Sequence, residues 1–173
     1  EDKWIYYAPW QLAVIDVASG KATIPAPIDR CFTHPHWSPD GRSVYALIEQ
    51  AEVTHLARID VASGKVTELT HGDRFDVDLS VARNGRIAVL GGDDLHPYNL
   101  AALDGEHLRP LADHNEWLAG KQLASTETLH FTSADGTRLD GLLVKPVGYV
   151  KGRRYPTILR VHGGPVYQFS HEF

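Results

Sequence analysis

The feature that most constrains the fold is an internal repeat in the first two thirds of the chain. Residues 12–21 recur as residues 56–65, with nine of ten positions identical and a spacing of 44 residues. A third, shortened copy begins at Leu100, at the same spacing. A second marker agrees, because the Ser-Pro-Asp-Gly-Arg segment at 38–42 recurs as Ala-Arg-Asn-Gly-Arg at 82–86. A fixed period of this length is typical of stacked structural repeats.

Each repeat has the pattern of short strands joined by tight turns. Asp-Gly at 40–41 and Asn-Gly at 84–85 are typical hairpin turns, because both residue types tolerate the positive φ that such turns need. Short β-type runs follow these turns at 44–47 and 87–90. Residues 65–69 alternate in polarity and predict a half-exposed strand.

The period and the number of strands together predict β-propeller blades. A unit of about 44 residues with four strands is the size of one blade. Pro25 and Pro27 are assigned to the outer strand of the first unit, since an edge strand tolerates proline. Residues 1–112 would then hold about two and a half blades, fewer than the four to eight of a closed propeller. A β-sandwich with chance similarity between its halves is the alternative.

The second part of the chain has a different character. The period ends at Leu111, and residues 113–124 read as a polar and aromatic connection. Residues 128–133 and 139–144 flank an Asp-Gly turn and predict a hairpin. Residues 156–161 form a compact apolar run, which predicts a buried strand of a mixed or parallel sheet.

The predicted buried strand leads directly into His162-Gly163-Gly164-Pro165. In α/β-hydrolases, a loop of the His-Gly-Gly type after the third strand gives a backbone N–H to the oxyanion hole. Pro165 has no N–H, so Gly163 and Gly164 are the candidate donors, and Gly164 is preferred. The alternative is a simple turn between two elements, with His162 packed in the core.

Composition narrows the possible partners. The chain has 17 Lys and Arg against 22 Asp and Glu, so no basic excess favours nucleic acid. No apolar run approaches the roughly 18 residues of a membrane span. The single cysteine, Cys31, excludes the zinc motifs that are built on paired cysteines. His34 and His36 lack a third ligand at motif spacing, so no metal or other cofactor is expected.

An acidic cluster on the second repeat is interpreted as solvated turns. Asp73, Asp76 and Asp78 lack the ordered ligand pattern of a calcium loop. Glu49, Arg74 and Asp76 could instead hold the charged end of a substrate, but the sequence does not place them at a site. They are therefore left out of the candidate site.

Together these segments resemble the prolyl oligopeptidase family of serine peptidases, in particular its acylaminoacyl peptidase and dipeptidyl-peptidase-like branch. The turn at 37–42 is similar to the family's propeller repeat, and residues 131–146 are similar to the hairpin that opens its hydrolase domain. Residues 155–165 are similar to its third strand and oxyanion loop. The resemblance implies the last blades of a partial β-propeller over 1–112 and the start of an α/β-hydrolase domain over 113–173.

The resemblance also implies a chemistry. The family hydrolyses short peptides by Ser-His-Asp acyl transfer, and its propeller filters substrates by size. The N–H of Gly164 would hold the oxyanion, and His162 would support the loop without acting as the base. No serine here lies in a G-x-S-x-G elbow, so the nucleophile, the acid and the base are expected beyond Phe173, and these residues alone are expected to be inactive.

The expected partners are a peptide substrate and the remainder of the chain's own propeller and hydrolase domain. An esterase or lipase on the same hydrolase fold and a non-catalytic propeller binding module are the alternative functions. The sequence leaves open the compartment, a possible homo-oligomer, and whether cleavage is of the exopeptidase or the endopeptidase type.

Overall fold

The computed structural model describes residues 8–164 and 167–173, and in them the chain is all-β. Apart from a single turn of 3-10 helix, Glu116–Leu118, its regular elements are strands. The strands are β1 (Val14–Ile15), β2 (Ala22–Thr23), β3 (Phe32–Trp37), β4 (Ser43–Gln50), β5 (Val53–Asp60), β6 (Val66–Glu68), β7 (Phe75–Val81), β8 (Ile87–Asp93), β9 (His96–Asp104), β10 (His107–Pro110), β11 (Thr126–Thr132) and β12 (Arg138–Val144). No helix in this part of the chain is long and apolar enough to cross a membrane.

The predicted repeat appears as two four-stranded antiparallel units. Strands β3 to β6 form the first unit and β7 to β10 form the second. β4 begins at Ser43 and β8 at Ile87, which is the spacing of the sequence repeat. β1 and β2 pair with each other at the positions that correspond to β5 and β6, one period earlier. The described strands do not close into a ring, because β3 and β10 remain the edges of the larger sheet.

The two units are joined by packing rather than by continuous strand pairing. β5 and β7 share a single parallel pair, Thr54 with Phe75. Successive residues of a strand point to opposite faces, and β4 uses both faces. One face of β4 packs towards the segment that contains β1 and β2, through Val44, Ala46 and Ile48. The other face packs towards the second unit, through Leu47. The first unit therefore lies between two apolar neighbours.

The repeated Asp-Val-Ala-Ser-Gly segment forms the same turn twice. The Ser63 hydroxyl donates to the Asp60 carboxylate at 2.6 Å, and Ser19 donates to Asp16 at the same distance. These hydrogen bonds to the charged form hold the pKa of both carboxyl groups below its usual range. Each turn closes on a glycine with φ near +70°.

The prediction that Pro25 and Pro27 lie in an outer strand is wrong. The strand there is β2, which ends at Thr23, and both prolines follow it. The Pro25 carbonyl instead occupies the space beside Gly64, where a Cβ would overlap it. The prolines lead the chain from the β1–β2 pair into the first unit, and Gly64 makes the close approach of the two possible.

The predicted hairpin is confirmed as β11 and β12, paired in register from Thr126–Val144 to Thr132–Arg138. Its turn contains Gly136 at φ +89°. The Ser133 hydroxyl and the Thr137 N–H both donate to Asp135, and they lower the pKa of that carboxyl to about 2.

The prediction of a buried strand at 156–161 is wrong for this structure. The segment forms no strand, and Ile158 and Leu159 are 92% and 87% exposed. A parallel strand needs neighbours on its edges and covering layers on its faces, and the described residues supply neither at this position. The helix-flanked sheet of an α/β-hydrolase is likewise not formed by the described part of 113–173, so that domain assignment stays a prediction.

The two copies of the repeated turn provide a matched test of the packing. In Gly20→Ala the new methyl group meets only solvent, so the cost is that of a positive φ, about 1 kcal/mol. In Gly64→Ala the same cost is joined by overlap with the Pro25 carbonyl, and we expect about 1–3 kcal/mol more. Thermal unfolding of both variants measures the difference. Equal losses would contradict the contact between Pro25 and Gly64.

Candidate functional site

The predicted site residues form an exposed glycine loop. His162, Gly163 and Gly164 are all solvent-accessible, so the alternative of a core-packed His162 is wrong for this structure. Gly164 has φ +125°, in the region that favours glycine. The His162 Nδ1 lies 2.9 Å from the Gly163 carbonyl oxygen and donates to it. Pro165 lies outside the described residues. In the described residues His162 forms no hydrogen bond to a hydroxyl or thiol.

Phe169 holds the chain after the loop against the chain before it. The Arg160 guanidinium lies 4.6 Å from the centroid of the Phe169 ring, within the range of a cation–π contact. The His162 ring meets the same phenyl ring edge-on, with 6.3 Å between centroids. Two groups on the N-terminal side of the glycines therefore contact one aromatic ring on their C-terminal side.

His171 is a buried histidine that the sequence did not indicate as a candidate site residue. Its imidazole is 2% exposed and lies between two polar side chains. Nδ1 is 2.6 Å from a carboxylate oxygen of Asp94, and Nε2 is 3.0 Å from the Thr128 hydroxyl. These partners are 77 and 43 residues away in sequence, so no local motif could have revealed them.

A carboxylate, an imidazole and a hydroxyl in line also make up a serine hydrolase triad. In a triad the hydroxyl and the imidazole must face the substrate carbonyl, together with donors for the oxyanion. The imidazole of His171 is buried, so it does not face a substrate as a catalytic base would. Its hydrogen bonds connect three distant segments of the chain and do not activate a nucleophile.

The acidic cluster on β7 divides into a buried and a solvated part. Asp76 is 1% exposed, so its interpretation as a solvated turn residue is wrong. It accepts hydrogen bonds from Arg74 Nε at 2.9 Å, from the Thr70 hydroxyl at 2.6 Å and from the Leu56 N–H at 3.2 Å. Asp78 is exposed, as predicted, but it lies on strand β7 and not in a turn.

This network joins the two four-stranded units. Leu56 belongs to β5 of the first unit and Asp76 to β7 of the second. Gly91 on β8 leaves the space for it, since a Cβ there would overlap the Asp76 carboxylate. Both oxygens of Asp76 are engaged, so Asp76 and Arg74 have a structural explanation that needs no substrate.

No metal centre is formed by the residues in the described ranges, which bring no three His, Cys, Asp or Glu side chains together. Glu49, at the end of β4, is partly buried, and burial raises its pKa.

Known peptidases are similar to this chain over most of its length. Dipeptidyl-peptidase 5 of Porphyromonas gingivalis is 28% identical over 160 residues, which covers 90% of this chain and 23% of that protein. An acylaminoacyl peptidase solved with Z-Gly-Gly-Phe-chloromethyl ketone matches all of this chain with a TM-score of 0.83 and 24% identity. The Pyrococcus horikoshii acylaminoacyl peptidase matches 94% of it with a TM-score of 0.77 and 23% identity. No family model matches.

These matches support the predicted resemblance to the serine peptidases of the prolyl oligopeptidase family. It spans about a quarter of the length of the relatives that it matches. The all-β units of this chain share the fold of the corresponding part of the acylaminoacyl peptidases.

A mutation of Asp76 tests whether this residue stabilises the fold rather than binds a substrate. Asp76→Ala leaves the Arg74 guanidinium and the Thr70 hydroxyl without their buried acceptor, and we expect a loss of about 3–5 kcal/mol in the free energy of unfolding. Asp78→Ala is the control, because that carboxylate is exposed, and we expect a change below about 1 kcal/mol. Chemical denaturation measures both. Similar stabilities for the two variants would argue against the network as the joint between units.

Proposed function

We propose that this chain is part of a serine peptidase that cleaves short peptides. In this proposal residues 1–112 are the last blades of a β-propeller that filters substrates, and residues 113–173 begin the α/β-hydrolase domain. The observation that carries the proposal is the similarity to dipeptidyl-peptidase 5, which extends over 90% of the chain.

In the proposed mechanism the glycine loop supplies one half of the oxyanion hole. A serine outside these residues attacks the scissile carbonyl carbon, a histidine takes the serine proton, and an aspartate orients that histidine. As the carbonyl oxygen becomes negative, it accepts a hydrogen bond from the Gly164 N–H. The proton then passes to the leaving amine as the peptide bond breaks.

The loop geometry supports these roles. Gly164 has φ +125°, a conformation in which an L side chain is strained, so the position needs glycine. Gly163 has no atom within 4 Å of the position that a Cβ would take, so packing alone does not require glycine there. The His162 side chain donates to the Gly163 carbonyl, and this bond fits a supporting role better than that of a free base.

Two measurements on the full-length protein test the proposal. We expect an intact mass several times the 19.2 kDa of this chain, and covalent labelling by a serine-directed phosphonate. We also expect hydrolysis of chromogenic amides of a free dipeptide or of an N-acylated amino acid. Labelling with cleavage of esters only would point to the esterase, and the absence of labelling would point to a binding module.

Substitution of the two glycines tests the oxyanion role. Gly164→Ala forces a side chain into a strained conformation and displaces the N–H, so we expect kcat to fall about 100- to 1000-fold. Gly163→Ala keeps an ordinary φ and meets no neighbouring atom, so we expect a loss within about tenfold. Steady-state kinetics on a peptide amide gives both values. The reverse order would assign the donor to Gly163.

A further inference from the structure

We infer that His171 is a positioning residue, which fastens the glycine loop to the propeller units through Asp94 and Thr128. The inference rests on the proposed function in one respect, namely that the loop serves as an oxyanion hole. The three residues are called the His171 clamp below.

The clamp joins three separate elements of the fold. Asp94 lies in the turn between β8 and β9 of the second unit, and Thr128 lies on β11 of the hairpin. The backbone N–H of His171 donates to the carbonyl of Glu52, in the turn between β4 and β5 of the first unit, at 2.8 Å. A single residue therefore contacts both units and the hairpin that follows them.

Residues next to His171 also form hydrogen bonds to the two four-stranded units. The Gln168 side-chain amide donates to the carbonyl of Ala51, beside Glu52 in the first turn. The Tyr98 hydroxyl on β9 donates to the Glu172 carboxylate at 2.5 Å. Burial, with the charge and the hydrogen bond of Glu172, raises the pKa of Tyr98 well above its usual value. The segment 167–173 is thus held at several points on the turns of both units.

The hydrogen-bonding chemistry makes the clamp specific for histidine. A carboxylate can only accept, so the Nδ1 of His171 must carry a proton towards Asp94. The Thr128 hydroxyl can donate to Nε2 or accept from it, so the second nitrogen is also satisfied. A buried ring with both nitrogens paired holds one orientation, because losing either partner would leave a desolvated polar group.

Phe169 connects the clamp to the glycine loop. It lies two residues before His171, and its ring contacts both Arg160 and His162. Fixing His171 therefore fixes the ring against which the chain on the N-terminal side of Gly163 packs. An oxyanion donor must lie within about 0.5 Å of its productive position, and a loop gains that accuracy only from a rigid support.

The inference predicts an effect on kcat rather than on KM. The oxyanion exists in the transition state and not in the bound substrate, so a displaced donor slows the chemical step and leaves substrate affinity nearly unchanged. We expect His171→Phe to lower kcat about 10- to 100-fold in the full-length protein, with KM within about twofold. Thr128→Val, a smaller change, should show the same pattern with a smaller loss.

The chain offers a matched control on the same hairpin. His130 Nδ1 lies 2.6 Å from the Asp140 carboxylate, the same distance as in the clamp, but the His130 side chain is 77% exposed. His130→Phe removes a histidine–aspartate pair of the same geometry and leaves the clamp in place. We expect it to change neither kcat nor KM.

A readout independent of activity keeps the test meaningful if the proposed function fails. Trypsin should cut after the exposed Arg160 faster in His171→Phe and in Thr128→Val than in the unmodified protein or in His130→Phe. Hydrogen exchange of residues 167–173 should rise in the same two variants. If His171→Phe does not fold, Thr128→Val carries the comparison.

The results distinguish a failure of the His171 clamp from a failure of the proposed peptidase function. Unchanged proteolysis and exchange in both clamp variants would overturn the inference, and so would a loosened segment with unchanged kcat in an active enzyme. An unmodified protein that is not labelled by the phosphonate would overturn the proposed function, and the clamp would then stand or fall on the proteolysis and exchange results.

Discussion

The fold depends on burial of both faces of the strands at the centre of the first unit. Ala57 and Ile59 of β5 pack with the segment of β1 and β2, whereas Leu56 packs with the second unit. A single four-stranded unit has no enclosed core of its own, since each face needs a neighbour to remove it from water. Each unit is therefore stabilised by its neighbours. Gly64 allows the close approach of the Pro25 carbonyl, and Asp76 accepts a hydrogen bond from Leu56 across the contact between the two units.

The same arrangement explains how the turns of the units can support a loop outside them. A rigid scaffold of packed strands positions the carbonyl and carboxylate groups of the turns that join them. The segment 167–173 uses such groups from both units, through Glu52 and Asp94. The polar contacts that fasten the glycine loop thus depend on apolar packing some distance away.

Much of the local structure could be predicted from the sequence. The 44-residue period, the hairpin β11–β12 and the glycine turns depend on strand alternation and on which residues tolerate positive φ, and both are properties of a few adjacent residues. The assignment of Pro25 to a strand was wrong because the strand ends two residues earlier, where the chain crosses between units. The run 156–161 has the composition of a buried strand, but burial depends on partners, and the described residues provide none.

The sequence by itself determined the repeat and the positions of the glycine turns, because each follows from local backbone conformation. Only the tertiary structure decided that Asp76 is buried and that His171 meets Asp94 and Thr128. The physical reason is the same for both. A polar side chain becomes a structural element when packing removes water and supplies partners, and those partners come from strands and turns far along the chain.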